Sequence, residues 1–550
     1  MSLQLLAKDL FRRPTWLRII YEARIRTPPP PWLVFQYFQM ELSSWVLKSD
    51  YSQGRGKYCY PYPAEIMAPY WQNQSCDPFT SRSTACDLGN YFDHAVNVSS
   101  PSDVAAGLQF AQKHNIRVVI KNTGHDYLGK STGKGALGLW THNLKSIDFL
   151  NYSSSAYTGP AAKMGAGVQA FEMYTAAGAH GLRVVGGTCA TVGLAGGFLQ
   201  GGGHSPLSST YGMGADQILE WEVVTANGTH LVASPSENED LYWALSGGGG
   251  GTYGVVISVT VKAFKDGIVG GAFLSFDKTG IADEAFWKGV EEFHSALPAI
   301  VDSGATIVYS LNNDSFVVVP LTAPGKTEDE VSALLQPFLT KMNDLAVPVT
   351  SSVTSYPGFL EHFNQYLGPL PYGLDLINII DVSIGGRIIP RRLIENSTSN
   401  IDLIEALKLS VYPGGEYQTG GIAFNAGHGV AGNSLSSNAV LPAWRDGILT
   451  LLTFAPWDYE STRDVNMAAD KYLLDVTIPA LTALTPGGGT YLNEANFQQT
   501  DWQQSFYGAN YAKLKRIKKI YDPQDLFFAN TAVGSEVWVP DADGRLCRNE

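Results

Sequence analysis

The sequence predicts an α+β protein with at least two domains. Its 550 residues exceed a single hydrophobic core, and 45% of them are hydrophobic while only 16% are charged, so large cores can form. Between residues 101 and 260, helical and strand patterns alternate, and glycine-rich turns follow the strands. Beyond about residue 267 these turns become fewer. We therefore expect a second α+β unit over about 270–480.

The first domain begins with a helix and a strand that lead into a turn. Pro101 precedes a stretch in which Val104, Leu108 and Ala111 share one helical face, and residues 116–120 have the composition of a strand. The chain then enters the turn that holds His125.

The same order returns further along the chain. Residues 169–180 predict a helix that ends at Gly181, residues 182–185 predict a strand, and the turn that holds Cys189 follows. His125 and Cys189 therefore lie just beyond strand ends, where a rigid scaffold positions loop residues.

A hairpin and a glycine run complete the first domain. Residues 218–234 predict a hairpin around Asn227 and Gly228, and residues 237–245 predict a short helix. The string Gly-Gly-Gly-Thr-Tyr-Gly at 249–254 is followed by a strand at 255–261. Because a dinucleotide-binding βαβ unit places a strand before such a string and a helix after it, this match does not indicate one. The glycines instead allow close packing against a ligand or a neighbouring strand.

The second unit mixes strand and helix patterns. Residues 315–320 read as a strand and residues 328–342 as a helix. We interpret this unit as the domain that supplies a substrate surface.

The two glycine-bounded turns carry the chemistry. The first reads Lys-Asn-Thr-Gly-His-Asp-Tyr-Leu-Gly-Lys over 121–130, and the second reads Gly-Gly-Thr-Cys-Ala-Thr-Val-Gly-Leu-Ala-Gly-Gly over 186–197. Backbone amides in such turns bind an anion such as a pyrophosphate. A histidine and a cysteine on separate turns can also grip one large cofactor from two sides. The pair predicts a dinucleotide flavin as the ligand.

Charge and cysteine spacing exclude some classes of protein. A net charge of −13 argues against a nucleic-acid partner, which requires clustered Lys and Arg. The five cysteines contain no Cys-x-x-Cys pair, and we predict no metal site. If four cysteines pair, Cys189 is the one left over, and we favour a bond between Cys76 and Cys86. The alternative is that all five are thiols.

Compartment signals in the sequence conflict. Sequons and cysteines favour the secretory pathway or the extracellular space, but residues 1–50 show no clear signal peptide and no stretch long enough for a transmembrane span. This start is an interfacial anchor, a non-homologous extension or a misassigned first exon. The sequons begin at Asn73, Asn97, Asn151, Asn227, Asn313 and Asn396.

The paired turns resemble those of vanillyl-alcohol-oxidase-type flavoproteins with a PCMH-type FAD-binding domain, and most of all the berberine-bridge-enzyme-like branch and its fungal FAD-linked oxidases. The likeness runs from about Tyr70 to the end of the chain, and the runs 489–495 and 521–530 resemble segments that return to the flavin domain. It implies four parts: an N-terminal extension of unknown role at 1–60, a PCMH-type FAD-binding domain of two α+β subdomains at 61–266, a substrate-binding α+β domain on an antiparallel sheet at 267–488, and a returning C-terminal segment at 489–550.

The likeness also implies bicovalent FAD. In that family a histidine in this context is bonded to the flavin 8α-methyl carbon and a cysteine to ring carbon C6, the places of His125 and Cys189. Neutral imidazole and thiolate are the nucleophilic forms of these side chains. The alternatives are a loop-capping histidine and a buried apolar thiol. The remaining residues that we expect at the cofactor are Lys121, Asn122, Thr123, Gly124, Asp126, Gly129, Ser131, Gly187, Thr188, Gly193, Gly196, Gly197, Gly202, Gly203, His204, Val256 and Asn530, although His204 also suits a hydrogen-bonded structural role.

Three residues are candidates for catalysis. The likeness places Tyr491 and Asn493 on a strand that faces the flavin, where a tyrosine of lowered pKa deprotonates a substrate hydroxyl; a packing role for Tyr491 is the alternative. The likeness also places Val192 where a residue controls oxygen access to the flavin, and a small side chain there implies an oxidase; core packing is the alternative role. The family's glutamate base has no counterpart that we can align, so the catalytic base stays open.

The predicted activity is that of an FAD-linked oxidase. A small-molecule donor, an alcohol or a secondary metabolite, loses hydride to FAD, and O2 is reduced to H2O2. The alternatives are a flavin dehydrogenase with another acceptor, and an oxidative cyclase or pericyclic scaffold of natural-product biosynthesis. The sequence does not indicate the oligomeric state.

Overall fold

A computed structural model describes residues 33–34, 69–72, 89–371, 382–411, 417–541 and 546–549. The predicted pair of Cys76 with Cys86, the sequon at Asn73 and nearly all of the extension at 1–60 lie outside the described residues.

Strands occur throughout the described chain. Their bounds are β1 (Leu33–Val34), β2 (His94–Asn97), β3 (Val118–Lys121), β4 (Leu137–Trp140), β5 (Ile147–Ser153), β6 (Thr158–Gly165), β7 (Leu182–Arg183), β8 (Ile218–Val224), β9 (His230–Ala233), β10 (Val255–Lys262), β11 (Phe264–Lys265), β12 (Val269–Asp277), β13 (Thr306–Leu311), β14 (Ser315–Pro324), β15 (Thr350–Tyr356), β16 (Val382–Pro390), β17 (Gln418–Ala423), β18 (Gly447–Pro456), β19 (Trp538–Pro540) and β20 (Leu546–Arg548).

Helices alternate with these strands. The α-helices are Pro69–Gln72, Pro101–His114, Ala170–Ala179, Ser208–Tyr211, Glu239–Leu245, Asp283–Asp302, Glu328–Asp344, Phe359–Tyr366, Arg391–Glu395, Ser397–Ser410, His428–Ala431, Arg463–Tyr472, Ile478–Leu484 and Tyr511–Tyr521. Short π-helical segments cover Leu194–Phe198, Leu473–Thr477 and Gln503–Tyr507, and 3₁₀ turns cover Gly214–Gln217, Pro442–Arg445, Gly508–Asn510 and Ser535–Val537.

Three larger sheets organise the described part of the chain, and two-stranded sheets pair β7 with β11 and β19 with β20. A four-stranded sheet has the order β1-β2-β4-β3, with β4 parallel to both β2 and β3. A five-stranded antiparallel sheet has the order β5-β6-β10-β8-β9, and a seven-stranded antiparallel sheet has the order β15-β12-β14-β13-β17-β18-β16. Two smaller α+β layers followed by a larger antiparallel sheet confirm the predicted fold class. The predicted domain limits stay predictions.

Most predicted elements form where the pattern placed them. Pro101–His114 begins with a capping box from Ser100 and buries Val104, Leu108 and Ala111. β8 and β9 form the predicted hairpin, and the glycine string lies between a helix and β10 as expected.

Several predicted boundaries were wrong; for example, β3 begins at Val118 rather than at residue 116, and β14 continues to Pro324 rather than ending at residue 320. The strand predicted over 182–185 ends at Arg183, because the chain leaves its partner β11 to enter the Cys189 turn. The helix predicted from Glu237 begins at Glu239, since Asn238 adopts a left-handed conformation with φ of 50°.

A buried ion pair joins the 3₁₀ turn Gly214–Gln217, which precedes β8, to the 3₁₀ turn Pro442–Arg445, which precedes β18. The Asp216 carboxylate receives two hydrogen bonds from Arg445, at 2.8 and 2.9 Å, and its side chain is fully buried. Among the described residues, no helix is both long enough and apolar enough to cross a membrane.

Candidate active site

A cavity lies where the two glycine turns meet the seven-stranded sheet. Its walls come from the His125 turn, the Cys189 turn and the run that follows it, the glycines at 250–254, strands β17 and β18, and the C-terminal segment at 491–494. Sixteen of the expected site residues line it: Asn122, Thr123, Gly124, His125, Asp126, Ser131, Thr188, Cys189, Val192, Gly193, Gly196, Gly197, His204, Val256, Tyr491 and Asn493.

Hydrogen bonds between the Asp126 side chain and backbone amides fix the shape of the His125 turn. The Asp126 carboxylate accepts hydrogen bonds from the amides of Leu128 and Ser131 at 3.0 and 2.9 Å. Gly124 has φ of 95°, a conformation that few other residues adopt. Burial raises the pKa of Asp126, and these amide bonds oppose that shift. The turn therefore presents backbone and a constrained imidazole to the cavity.

The Cys189 turn is fixed to the start of a helix. The first amides of Ala170–Ala179 have no partner within their own helix. Those of Ala170 and Phe171 donate instead to the carbonyls of Val192 and Ala190, at 2.9 and 2.8 Å. The helix thus positions the turn by backbone contacts that do not depend on its side chains.

Thr191 links the two predicted attachment residues. Its hydroxyl oxygen lies 2.7 Å from His125 Nε2 and 3.6 Å from Cys189 Sγ. The imidazole nitrogen and the sulfur therefore lie within about 6.3 Å of each other. Burial lowers the pKa of His125 to about 4, so the imidazole is neutral near pH 7 and keeps a lone pair.

The expected pairing of the cysteines was wrong for Cys189. Its sulfur is disulfide-bonded, whereas Cys547 is free and exposed. The partner of Cys189 lies outside the described residues. Sequence spacing does not determine which sulfurs meet in space, which is why elimination failed here.

Because glycine has no side chain, neighbouring groups can pack closely at the floor of the cavity. A Cβ on Gly193 would lie 2.2 Å from Asn122 Oδ1, and one on Gly201 would lie 2.4 Å from Asn493 Nδ2. A Cβ on Gly250 would lie 3.3 Å from the Cα of Gly197. These glycines keep a narrow, backbone-lined space that larger residues would fill.

Four buried polar atoms on the cavity wall have no hydrogen-bond partner among the described residues: Asn122 Oδ1, Lys130 Nζ, Gln200 Oε1 and His204 Nδ1. Buried polar groups are nearly always satisfied, so these atoms indicate a polar ligand. Burial lowers the pKa of Lys130 to about 8, and the charge of Asp126 opposes this shift. The mixture of glycine backbone, amide and cation fits the predicted flavin dinucleotide.

Tyr491 is held at the cavity by two donors. Its hydroxyl oxygen accepts hydrogen bonds from Asn493 Nδ2 at 2.7 Å and from the Gly203 amide at 3.2 Å. Burial nevertheless raises its pKa, and the charge of Glu494 adds to this effect. The expectation that Tyr491 has a lowered pKa is therefore not met by the protein groups around it.

An apolar wall faces the turns. Ile422 lies on β17, and Leu452 and Phe454 lie on β18. All three are buried and belong to the same hydrophobic cluster as Phe424 and Trp444. The sheet therefore offers the site a surface for an apolar or aromatic group.

Six expected residues do not line the cavity. Lys121 ends β3, where its carbonyl accepts the Thr141 amide, and Gly129 packs under the Trp71 ring. The carbonyl of Gly187 accepts the Tyr174 hydroxyl. These three residues contact the protein behind the cavity wall and support the turns.

The other three expected residues, Gly202, Gly203 and Asn530, also contact other parts of the protein and do not line the cavity. Gly202 packs near Met213 and Val440, and Gly203 donates to Tyr491. Asn530 donates to the carbonyl of Phe497 at 3.4 Å.

Sequence reasoning missed several lining residues. Lys130 is the last residue of the glycine-bounded run 121–130, and Glu494 directly follows the Tyr-Leu-Asn string at 491–493. Both residues therefore had a local sequence signal. Gln200, Ile422, Leu452 and Phe454 had none, because tertiary packing alone brings them to the cavity.

The fold and this cavity define a flavin-binding oxidoreductase. Residues 92–234 match the family described as FAD binding domain, and residues 490–534 match the family described as berberine and berberine like. The chain belongs to the VAO-type, berberine-bridge-enzyme-like family of FAD-linked oxidoreductases.

Similar proteins come from fungi. A VAO-type flavoprotein oxidase of Thermothelomyces thermophilus is 48% identical over 492 residues, which cover 88% of this chain and 83% of the relative. The FAD-linked oxidoreductase patO of Aspergillus clavatus is 46% identical over 486 residues, with 88% and 83% covered. The bifunctional decalin synthase calF of Penicillium decumbens is 45% identical over 488 residues, with 88% and 84% covered.

Solved structures agree with the fold. A VAO-type flavoprotein from Myceliophthora thermophila C1 superposes with a TM-score of 0.85 at 45% identity, over 93% of this chain and 91% of that chain. A variant of berberine bridge enzyme superposes with a TM-score of 0.67 at 15% identity, over 85% and 93%, which is a likeness of fold alone.

Proposed function

We propose that this protein is an oxidase that removes hydride from an apolar alcohol or a related secondary metabolite. The observation that carries the proposal is that His125 and Cys189, which both contact the buried Thr191 hydroxyl, line one cavity whose wall also includes apolar side chains. FAD bound here would supply the two-electron oxidant for the donor C–H, with O2 as the final electron acceptor and H2O2 as its product.

The chain's own groups would hold the cofactor from both turns. The backbone amides of the first turn and Lys130 offer donors and a cation to phosphate or ring oxygens, while Asn122 Oδ1 offers an acceptor to an N–H of the ring. The glycines at 250–251 and 196–197 leave room for a planar ring. Val192 stands on the wall as a small side chain, which favours access of O2.

We also propose covalent attachment at His125 and Cys189. A neutral imidazole beside Thr191 suits a bond to the 8α carbon. A thioether at Cys189 uses the same sulfur as its disulfide, so that bond requires prior reduction to the thiolate. The histidine bond therefore forms independently, and the cysteine bond depends on the redox state.

The wall of Ile422, Leu452 and Phe454 favours an apolar donor over a carbohydrate. Sugar recognition requires several polar groups beside an aromatic platform, and this wall offers side chains without hydrogen-bonding atoms. The apolar wall instead suits fungal secondary metabolites that carry benzylic or allylic hydroxyls.

An oxidative cyclase is the second candidate. It is favoured by the 45% identity with the bifunctional decalin synthase of Penicillium decumbens. In that case oxidation of the substrate precedes a ring closure that the apolar wall would shape. A flavin dehydrogenase is the third, and only the choice of electron acceptor separates it from the oxidase.

A donor panel tests the proposal. Purified protein is mixed under air with benzylic, allylic and aliphatic alcohols and with sugars, and H2O2 is followed. We expect peroxide with apolar alcohols and none with sugars. Flavin bleaching without peroxide indicates a dehydrogenase. If no alcohol bleaches the flavin anaerobically, the oxidase proposal is wrong.

A further inference from the structure

A histidine and a glutamate on the cavity wall form a pair that the two turns do not explain. His204 Nε2 lies 2.9 Å from Glu494 Oε1 and 3.1 Å from Oε2. The pair joins segments 290 positions apart, since Glu494 belongs to the returning C-terminal segment. Both residues line the cavity.

The second ring nitrogen of His204 carries the argument. Only 5% of the residue is exposed, and Nδ1 is buried with no hydrogen-bond partner among the described residues. A buried polar atom without a partner costs about 1–3 kcal/mol, so a structural histidine would normally use both nitrogens. An unused nitrogen at a cavity wall indicates that the ligand supplies the partner.

The Glu494 carboxylate determines which ring nitrogen of His204 keeps a free lone pair. A carboxylate accepts hydrogen bonds, so in the neutral ring Nε2 carries the hydrogen that points at Glu494, and Nδ1 keeps its lone pair. This is the arrangement by which a carboxylate orients a histidine base. Tyr491 lies beside it, with ring centroids 5.2 Å apart, but its hydroxyl oxygen already accepts two hydrogen bonds.

The rest of the surroundings suit a proton acceptor. The rings of Phe424 and Trp444 lie 6.2 and 6.5 Å from the His204 ring and exclude water. Among the described residues packed against His204, Glu494 and Tyr491 are the titratable groups in contact with it.

We propose that His204 Nδ1 is the base that accepts the hydroxyl proton of the donor, and that Glu494 is the positioning residue that fixes its tautomer. The step breaks the donor O–H bond, its proton moves to Nδ1, and the electron pair stays on oxygen. As the carbinol C–H hydride leaves to FAD, that electron pair forms the C=O bond. The donor thereby loses two electrons, which FAD receives. This inference rests on the proposed function.

The first experiment measures flavin reduction without oxygen, using the fastest alcohol of the panel. His204→Gln is expected to slow reduction by about 10²–10⁴-fold, the usual contribution of a general base. Glu494→Gln is expected to slow it by about 10–100-fold, because the amide can donate to Nε2 and reverse the tautomer, and Glu494→Asp is expected to restore part of the rate. The pH profile of the reduction rate is recorded as well, and it is expected to differ between the wild type and His204→Gln, because only the wild type carries the imidazole.

A matched control separates chemistry from folding. His230 and Glu222 form the same kind of pair on the surface, with Nε2 2.8 Å from Oε1. His230→Gln removes an equivalent hydrogen bond outside the cavity, so it should leave the rate and the pH profile unchanged. Equal rates in His204→Gln and the wild type, with the same pH profile, overturn the proposal. If the wild-type flavin is not reduced by any alcohol, the proposed function fails instead.

The second experiment needs no turnover. 4-Nitrophenol, a hydroxyl donor whose anion is yellow, is titrated with the holoenzyme at a pH where the free compound is neutral. We expect the wild type to develop phenolate absorption, and His204→Gln to develop none. Absence of the signal in the wild type, or an equal signal in His204→Gln, overturns the assignment of the base.

Discussion

The hydroxyl of Thr191 gives the sharpest test of how the two turns are coupled. Thr191→Val keeps the shape of this fully buried side chain but removes the group that lies 2.7 Å from His125 Nε2. The imidazole is then left with an unsatisfied buried nitrogen, which costs about 1–3 kcal/mol. The ring also loses the contact that fixes its orientation, so we expect less covalent flavin per protein.

A double-mutant cycle isolates this contact. Urea unfolding of the flavin-free protein is compared for wild type, Thr191→Val, His125→Ala and the double variant. With His125 present, removing the Thr191 hydroxyl should lower the free energy of unfolding by about 1–3 kcal/mol. In the His125→Ala variant the same change should cost much less, because no nitrogen is then left unpaired. Thr191→Ser keeps the hydroxyl and serves as the control. A coupling free energy near zero, with normal flavin content in Thr191→Val, would refute this reasoning.

Four further changes test other parts of the structure. Asp216→Asn breaks the buried pair with Arg445 and should lower the free energy of unfolding by about 3–5 kcal/mol, whereas an unchanged Tm contradicts a role in joining the two 3₁₀ turns. Burial lowers the pKa of His362 from 6.5 to about 3, so between these pH values the unfolded chain binds a proton that the folded protein does not. The free energy of unfolding should therefore fall by about 1.4 kcal/mol for each pH unit below 6.5. Urea titrations of His362→Gln should show a pH dependence that is smaller by this amount. Val192→Leu should slow reoxidation of reduced flavin by O2 in stopped-flow measurements but not its reduction, and equal reoxidation rates would show that this side chain does not limit oxygen access. Protein from a secreting host should carry a glycan at the exposed sequon Asn227, shown by a mass loss on glycosidase treatment that is absent in Asn227→Gln.

Local sequence patterns predicted the elements that position the site. The helix at Pro101–His114 and the hairpin of β8 and β9 follow from side-chain periodicity and turn chemistry, which act over a few residues. The strand predicted over 182–185 was too long, because its end depends on when a tertiary partner is lost rather than on propensity. Patterns therefore fixed the type of each element better than its limits.

The site was predictable where its residues share a turn and not where packing gathers them. His125 and Cys189 each stand in a glycine-bounded run, and the structure brings them to one cavity through Thr191. Ile422 and Phe454 lie on different strands of the seven-stranded sheet and have no motif of their own. The disulfide of Cys189 was likewise beyond prediction, since connectivity depends on the folded path of the chain.

The mode of flavin attachment tests the central claim most directly. Protein purified with reductant is precipitated in acid, digested with protease, and its flavin peptides are identified by mass spectrometry. We expect colour in the precipitate and flavin mass on the peptides of His125 and Cys189, with the His125 adduct alone when the disulfide is kept oxidised. Colourless precipitate, with all flavin in the supernatant, would contradict the account.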